Sequence, residues 1–357
     1  LIPISFLGPQ QGRVLHQVLR SLNLAETIGS SAELARSYAL ACGVAGLIPI
    51  HRLARFYNRK ATEVAQDLAE GDLAWVQEVT GLYDIGVCAW DRLENNLGQA
   101  IEIFERLGEH SHRGQALAIL AQSYYFRGNI EMGLEHWTEV HRSAEQHQNQ
   151  LQQAWGLNGQ VEGQFWMSTN PTLIETCLLE AREILTETVE QVSATSTVGL
   201  LALHYWREGT QKEALQCADD AMKLIEELGR PSGYYALRGY FASAWVNLSA
   251  WESGHAREAQ AKQALKHLWS YAKIFPVGRP LAWLCEGRWR RLKGRIKKAN
   301  QAWRKCLDIS RSLDMQLEPG LAHQLLGQHE PEETLRTLHR RAARERFAKL
   351  GLSSCPL

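Results

Sequence analysis

Apolar residues recur at helical spacing along most of the chain, and turn-forming residues separate the segments that carry them. After Gly209 the apolar positions fall on one face of a helix and the charged positions on the other. Thr210 and Glu213 have the spacing of a capping box, which predicts a helix start. Gly229, followed two residues later by Pro231, predicts its end. The predicted buried positions are Ala214, Cys217, Ala218, Ala221, Leu224, Ile225 and Leu228.

Turn residues of this kind recur about every 40 residues, a period typical of helical-repeat proteins. The series runs through Pro49, Cys88, Gly128, Thr169, Gly209, Gly254 and Gly294. Five residues after each turn comes a small or aliphatic residue, which lets two helices approach closely: Ala54, Leu93, Gly133, Ile174, Ala214, Ala259 and Ala299.

The period predicts how the chain is organised. A single helix pair buries too little apolar surface to offset its ordering entropy, so neighbouring pairs must stack. The repeat is longer than the ~34 residues of a standard tetratricopeptide unit. We therefore predict an all-α fold, a tetratricopeptide-like helical-repeat solenoid of about eight antiparallel helix pairs, continuous over residues 1–357. The first helix is expected to begin near Gln11.

Composition agrees with a helical array and adds a cellular context. At 45% hydrophobic residues the chain has no linker rich in Pro, Gly or Ser, and its only strand-like run, 192–198, is also compatible with an irregular helix start. Seven cysteines are spread singly, no signal peptide is visible, and no apolar stretch approaches the ~20 residues of a membrane span. We expect a cytoplasmic protein without membrane contact. Because the sequence starts at Leu1 rather than Met, we also expect it to be a processed or excised part of something longer.

Charge is balanced overall but unevenly distributed. From Pro276 onward there are 17 Lys and Arg against 8 Asp and Glu, a balance of +9, so the preceding residues carry −9. Arg290, Lys293 and Lys297 are predicted to share an exposed face beside the turn at Gly294 and to dock an acidic protein surface. The alternative is a solvated face without a partner. Tryptophans interleave with these basic residues, a pattern that also occurs at nucleic-acid sites.

Two of these tryptophans argue against nucleic acid as the partner. Trp289 and Trp303 each fall on the apolar stripe of a predicted helix, so they are expected in the core rather than as stacking platforms. The sequence does not specify an oligomeric state.

Catalytic motifs are not found in the sequence. There is no GxxxxGK[ST] phosphate loop, GxGxxG, HExxH, GxSxG or CxxC. His136 and His141 are five residues apart, a poor spacing for zinc on one helix, and the paired carboxylates near Asp219 and Glu226 lie on a polar helix face. We therefore predict no catalytic residue, no cofactor and no metal site in this segment.

Several ordered segments resemble a known region. They are residues 22–39, 51–55, 230–240, 275–280, 321–329 and 347–351, among which Phe275-Pro276-Val277-Gly278-Arg279-Pro280 is the most specific. In this order they resemble the tetratricopeptide-like C-terminal region of large bacterial class III adenylate/guanylate cyclases, or serine/threonine kinases, that carry an AAA-type ATPase module. The resemblance implies a non-catalytic regulatory and assembly region. Cys88 and Thr169 depart from it, because glycine is usual at those turns.

Two functions other than catalysis remain open at this stage. The first is a protein-interaction scaffold, with inner helices lining a concave groove that relays partner binding to upstream domains. The alternative is a small-molecule effector sensor, which an aromatic pocket among Tyr124, Tyr125, Trp155 and Trp166 would favour. Packing of these aromatic residues between repeats is the competing interpretation. An enzymatic segment would need a clustered polar site that the sequence does not show.

Overall fold

The computed structural model describes residues 11–29, 31–167, 170–355 and 357. This part of the chain is 84% helical and contains no strand. Its helices are α1 (Gln11–Ile28), α2 (Ser31–Leu47), α3 (His51–Ala65), α4 (Glu70–Gly86), α5 (Trp90–Leu107), α6 (His110–Arg127), α7 (Ile130–Gln146), α8 (Gln150–Met167), α9 (Pro171–Glu187), α10 (Gln191–Arg207), α11 (Gln211–Leu228), α12 (Leu237–Glu252), α13 (Glu258–Ile274), α14 (Arg279–Leu292), α15 (Ile296–Ser312), α16 (Leu317–His329) and α17 (Glu333–Lys349). Two single turns of 3-10 helix, Tyr234–Ala236 and Pro276–Gly278, precede α12 and α14. Gln11, near which the first helix is predicted to begin, is helical, and the residues before it lie outside the described part of the chain.

The helices form two layers. Each even-numbered helix from α2 packs on the odd-numbered helix that follows it, which makes eight pairs, and α1 packs on α2. Successive even-numbered helices also contact one another and form the inner layer. They are more completely buried than the odd-numbered helices, most of all α12, where 14 of 16 residues are buried. The odd-numbered helices bury one face and expose the other. The predicted all-α solenoid of about eight pairs is therefore confirmed.

The turns lie where the 40-residue period predicts them. Positive φ angles at or next to helix ends occur at Pro49, Cys88, Gly128, Gly209, Gly254 and Gly294. Cys88 adopts φ 61° although it carries a side chain, so its departure from glycine does not remove the turn. Thr169, the remaining predicted turn residue, lies outside the described residues.

One predicted contact position is wrong. Ala259 is exposed, whereas Ala261 is fully buried. The reason is a longer connection: α13 begins only at Glu258, so the buried position shifts by two residues relative to Gly254. The corresponding residues described after the other turns are buried, as predicted.

The capping box after Gly209 is also not formed. Thr210 does occupy the N-cap position of α11, but its side chain makes no capping hydrogen bond. The hydroxyl instead donates to the carbonyl oxygen of Tyr205 at 3.1 Å. That carbonyl, in the last turn of α10, also accepts from the backbone N–H of Thr210 at 3.0 Å.

Contacts between distant repeats join early and late parts of the solenoid. The indole nitrogen of Trp90 donates to the carbonyl of Leu313 at 2.6 Å, across 223 residues. Arg127 lies 3.6 Å from Asp314, and Arg230 donates to the carbonyl of Leu47. The inner layer therefore curves tightly around a central space. Among the described residues, no helix is both long and apolar enough to cross a bilayer.

Candidate binding groove

Four inner helices and the 3-10 turn Tyr234–Ala236 surround an open groove on the inside of the solenoid. The groove has a volume of about 630 Å³, which includes open solvent. Its apolar walls include Leu82, Ile119, Trp155, Leu200, Tyr234 and Tyr235. Its polar groups are Gln115, Gln122, Asn158, Glu162, Ser193 and Ser196. Apart from Glu162, these polar groups are neutral.

Helical spacing explains why these side chains face the same space. On α6, Gln115, Ile119 and Gln122 are separated by steps of four and three residues, which keeps them on one helix face. On α8 the groove positions Trp155 and Glu162 likewise lie two turns apart. Consecutive repeats therefore present equivalent faces to the groove.

One groove residue, Glu162, belongs to a buried ion pair, and its position is called the floor of the groove. The guanidinium of Arg238, on α12, donates from Nε to Oε1 of Glu162 at 2.6 Å and from a terminal nitrogen to the same oxygen at 2.5 Å. Glu162 is 4% exposed and Arg238 is 3% exposed, so both charges are removed from water. The guanidinium also lies 4.9 Å from the centre of the Trp166 ring, and the Trp166 indole donates to Oε1 at 3.4 Å. Removing either partner of such a pair strongly destabilises the fold, because the other charge would remain buried without a counter-charge.

Glu318, on α16, is a second buried carboxyl group near this pair. Burial raises its pKa to about 7, and the charges of Arg238 and Glu162 act on it in opposite directions. Its Oε2 and the Nη1 of Arg238 are both buried without a hydrogen-bond partner among the described residues. Three ionisable groups from α8, α12 and α16 thus lie within electrostatic reach of one another.

Some of the other polar groups of the groove already form hydrogen bonds within the protein, whereas others do not. Asn158 exchanges hydrogen bonds with Thr197, at 2.8 and 3.0 Å, and Trp155 donates to the hydroxyl of Ser193 at 3.0 Å. Gln115 is half-buried and makes no side-chain hydrogen bond to a described residue. Its amide is therefore available to a ligand.

A second, more apolar compartment adjoins the groove. It has a volume of about 720 Å³, also counting open solvent, and shares Leu82, Tyr234 and Tyr235 with the groove. Its other walls come from α2, α4 and the segment around Phe275. The hydroxyl of Tyr271 donates to the carbonyl of Tyr234 and holds the 3-10 turn between the two compartments.

The structure does not bring the four predicted aromatic residues into one pocket. Trp155 lines the groove, whereas Trp166 is buried beside Arg238. Tyr125 is buried with its hydroxyl on the carbonyl of Gly159, and Tyr124 bonds instead to Glu94 on α5. Three of these four aromatic residues therefore pack between helices and do not line a pocket.

The sequence interpretation missed the ion pair on the groove floor and the tyrosines of the 3-10 turn. In the sequence, Tyr234 and Tyr235 stand out only as part of segment 230–240 of the family resemblance. The available signal for Glu162 was a single charge within the otherwise uncharged stretch of α8.

The three predicted basic residues lie at the turn between α14 and α15 but differ in surroundings. Arg290 is half-buried and pairs with Glu286 at 2.7 Å, while the exposed Lys293 pairs with Glu258 at 2.7 Å. Lys297 is exposed and has no ion pair with a described residue. Partner binding by these residues stays a prediction.

The tryptophans near this basic turn pack as expected. Trp303 is fully buried, and Trp289 is half-buried with its ring centre 5.1 Å from that of Trp251. All seven cysteines are free thiols. Within the described residues, no group of three or more His, Cys, Asp or Glu side chains is arranged to hold a metal ion.

Comparisons with known proteins identify the fold. No family model and no curated protein matches the sequence. A Rap protein complexed with competence and sporulation factor has a TM-score of 0.55 and 15% identity, over 90% of this chain and 76% of that one. The apo form of RapI has a TM-score of 0.56 and 14% identity, over 76% and 96%.

A third similar structure is a signal transduction ATPase with numerous domains and a tetratricopeptide repeat sensor, from Pyrococcus horikoshii. Its TM-score is 0.45 with 11% identity, over 96% of this chain and 54% of that one. At such identities the first two structures show the fold alone, a tetratricopeptide-like helical-repeat solenoid.

Proposed function

We propose that this chain is a non-catalytic regulatory scaffold whose groove binds an extended segment of a protein partner. The observation that carries this proposal is the groove itself, which is built from equivalent faces of successive repeats. Its neutral amides and hydroxyls suit the N–H and C=O groups of a peptide backbone, and its aromatic and aliphatic walls suit side chains. The Rap protein of the same fold, complexed with competence and sporulation factor, is compatible with this use of a helical-repeat solenoid.

The partner is proposed to be either a separate protein or an upstream domain of the same polypeptide. The resemblance to regions behind an AAA-type ATPase with a cyclase or kinase output supports this arrangement. In it, residues 1–357 form one continuous solenoid that relays binding to the output domain and performs no catalysis itself. The free cysteines agree with a reducing compartment such as the cytoplasm.

A second candidate function is sensing of a small apolar effector. The apolar compartment beside the groove favours it, because Tyr234 and Tyr235 separate that compartment from the polar groove floor. An effector there would contact the 3-10 turn and act on the groove through it.

The first function is tested with a synthetic library of unstructured decapeptides, which is passed over the immobilised full chain. The amount of peptide that the chain retains is measured. Gln115→Trp fills the groove from a half-buried position, and Glu183→Trp places the same side chain on the exposed face of α9 as a matched control. We expect Gln115→Trp to lose at least about nine tenths of the retained peptides, since a filled groove cannot admit them. Equal retention by both variants would contradict the proposal.

The effector alternative has its own probe. Anilinonaphthalene sulfonate fluorescence reports an accessible apolar compartment, and Val79 lies in its wall. Effector sensing would be favoured if the fluorescence were lost in Val79→Trp but kept in Gln115→Trp, and if the chain retained no peptide.

A further inference from the structure

The charges at the groove floor are not balanced among themselves. Glu162 and Glu318 are two carboxyl groups, and one described cation, Arg238, pairs with Glu162 and also lowers the pKa of Glu318 by its charge. When both carboxyl groups are ionised, this buried cluster carries one excess negative charge. Burial makes an uncompensated charge costly, so a positive group reaching the floor would be stabilised there.

The two oxygens of Glu162 are engaged very differently. Oε1 accepts from both Arg238 and Trp166, whereas the only hydrogen bond to Oε2 from a described residue comes from Gln122 at 3.5 Å, the long limit for such a bond. Gln122 is 7% exposed, and its own Oε1 has no hydrogen bond to a described residue. Both Glu162 and Gln122 line the groove. Two acceptor oxygens on groove residues whose side chains contact each other, one of them charged, therefore lack strong donors.

Building on the proposed function, we propose that Glu162 Oε2 and Gln122 Oε1 bind a primary ammonium group of the partner segment at the groove floor. The ammonium comes either from a lysine side chain or from a free peptide N-terminus. Its three N–H donors match a set of separate acceptors. A guanidinium fits less well, because it binds a carboxylate best through both oxygens and Arg238 already occupies Oε1.

The walls of the groove favour the same ligand chemistry. Aromatic rings of Trp137, Trp155, Tyr234 and Tyr235 surround the space above the floor. Ring faces attract cations, and the effect grows when the cation is shielded from water. An anionic group would instead meet the carboxylate of Glu162 and is disfavoured.

The test uses peptides that the wild-type chain retains. Each peptide is prepared in two chemically modified forms and compared with its unmodified form. Acetylation of all amines removes positive charge, whereas dimethylation adds similar bulk and keeps it. We expect acetylated peptides to bind roughly tenfold to a hundredfold more weakly. Dimethylated peptides keep the positive charge but only one N–H donor, so we expect their affinity to lie between those of the acetylated and unmodified peptides. Acetylating only lysines, or only the N-terminus, identifies the source of the ammonium. Affinities are measured by isothermal titration calorimetry.

Variants of the chain locate the effect. Glu162→Gln should reduce the preference for free amines at least about tenfold, and Glu183→Gln on the exposed face of α9 should leave it unchanged. Because Glu162→Gln leaves Arg238 buried without its charged partner, folding is checked by thermal melting. Gln122→Leu keeps that ion pair and should still weaken the preference.

The outcomes separate this inference from the proposed function. Peptides that bind in a groove-dependent manner but equally well after acetylation would overturn the ammonium site and leave the groove function standing. An undiminished preference in both Glu162→Gln and Gln122→Leu would also overturn it. If no peptide is retained, or if Gln115→Trp has no effect on retention, the proposed function itself fails.

Discussion

At the scale of single residues, the most unusual group is the carboxyl of Glu318. It is 1% exposed, and burial raises its pKa from the ordinary value of 4.5 to about 7. Between these two pH values the folded protein holds a proton at this site that the unfolded chain has lost. This group therefore lowers stability progressively as pH rises through that window, and its full cost is reached above the folded-state pKa.

Glu318→Gln should behave like the protonated carboxyl group at every pH. We expect the variant to match the wild type near pH 4, below both pKa values, and to be more stable near pH 8 by up to about 3 kcal/mol, since each pKa unit corresponds to about 1.4 kcal/mol. Urea unfolding at the two pH values measures the difference. Glu135→Gln, on the exposed face of α7, is the control. An equal effect of Glu318→Gln at both pH values would show that ionisation of this group is not the cause.

At the scale of helices, the backbones of the inner helices α10 and α12 approach each other closely at two glycines. A Cβ atom on Gly239 would lie 2.3 Å from the carbonyl oxygen of Thr195, and one on Gly199 would lie 2.5 Å from the Cα of Gly239. Backbone atoms cannot move aside as a side chain can. The two glycines are therefore required for this crossing, which also brings Arg238 close to the groove floor.

Gly239→Ala is expected to destabilise the protein by about 1 to 3 kcal/mol or more, because the added methyl group forces the two backbones apart. The matched control is Gly98→Ala on α5, where an added Cβ would meet nothing within 4 Å. That substitution should be neutral or stabilise by up to about 1 kcal/mol, through the smaller entropy of the unfolded chain. Chemical denaturation compares the two. Similar losses at both positions would mean that the crossing tolerates a methyl group.

At the scale of the whole molecule, the contact between early and late repeats determines how the solenoid closes. Trp90 at the start of α5 is buried, and its indole donor reaches the end of α15 through the carbonyl of Leu313. A repeat array otherwise consists of nearest-neighbour contacts. This bond therefore links parts of the chain that would open independently.

Trp90→Phe should remove the closing hydrogen bond while keeping most of the apolar contact. We expect a loss of roughly 1 kcal/mol and faster amide hydrogen exchange near residues 313–317, because that segment loses its distant partner. Exchange mass spectrometry provides an internal control in α9, which lies far along the chain from both contact points. Unchanged exchange at 313–317 would show that closure does not depend on Trp90.

The basic turn is also a property of the whole molecule, since it gives the array a positive end. Replacing Arg290, Lys293 and Lys297 with Glu should weaken binding of an acidic probe such as poly-glutamate. The wild-type affinity should itself fall at high salt, because exposed charges are screened beyond roughly 8 Å at physiological ionic strength. Lys297→Glu alone tests the residue that has no ion pair among those described. Affinities at two ionic strengths, with circular dichroism for folding, provide the measurement.

The triple variant could bind poly-glutamate as well as the wild type does at both ionic strengths, with an unchanged spectrum. That result would show that these three residues are ordinary solvated charges without a binding role. The single and triple variants should also differ in stability. Glu at positions 290 and 293 would face Glu286 and Glu258 as like charges, whereas Lys297→Glu creates no such contact with a described carboxylate.

The sequence by itself determined the helical layers and their boundaries. Turn positions such as Gly128 and Gly294, and buried positions such as Ala214 and Ala299, follow from local periodicity and appear in the structure as predicted. This works because helix hydrogen bonds join residues four apart, and burial follows from the spacing of apolar residues on one face. Ala259 shows the limit, since a longer connection shifted the register without a clear local signal.

Only the tertiary structure decided where the groove lies and what lines it. The pair of Glu162 with Arg238 spans 76 residues, and the contact of Trp90 with Leu313 spans 223. Such contacts depend on the superhelical curvature, which is the sum of small rotations between successive repeats. Side-chain packing at each interface sets those rotations, and hydrophobic periodicity carries almost no information about them. The sequence therefore specifies the repeats, whereas their accumulated geometry places a buried charge cluster at the centre of the solenoid.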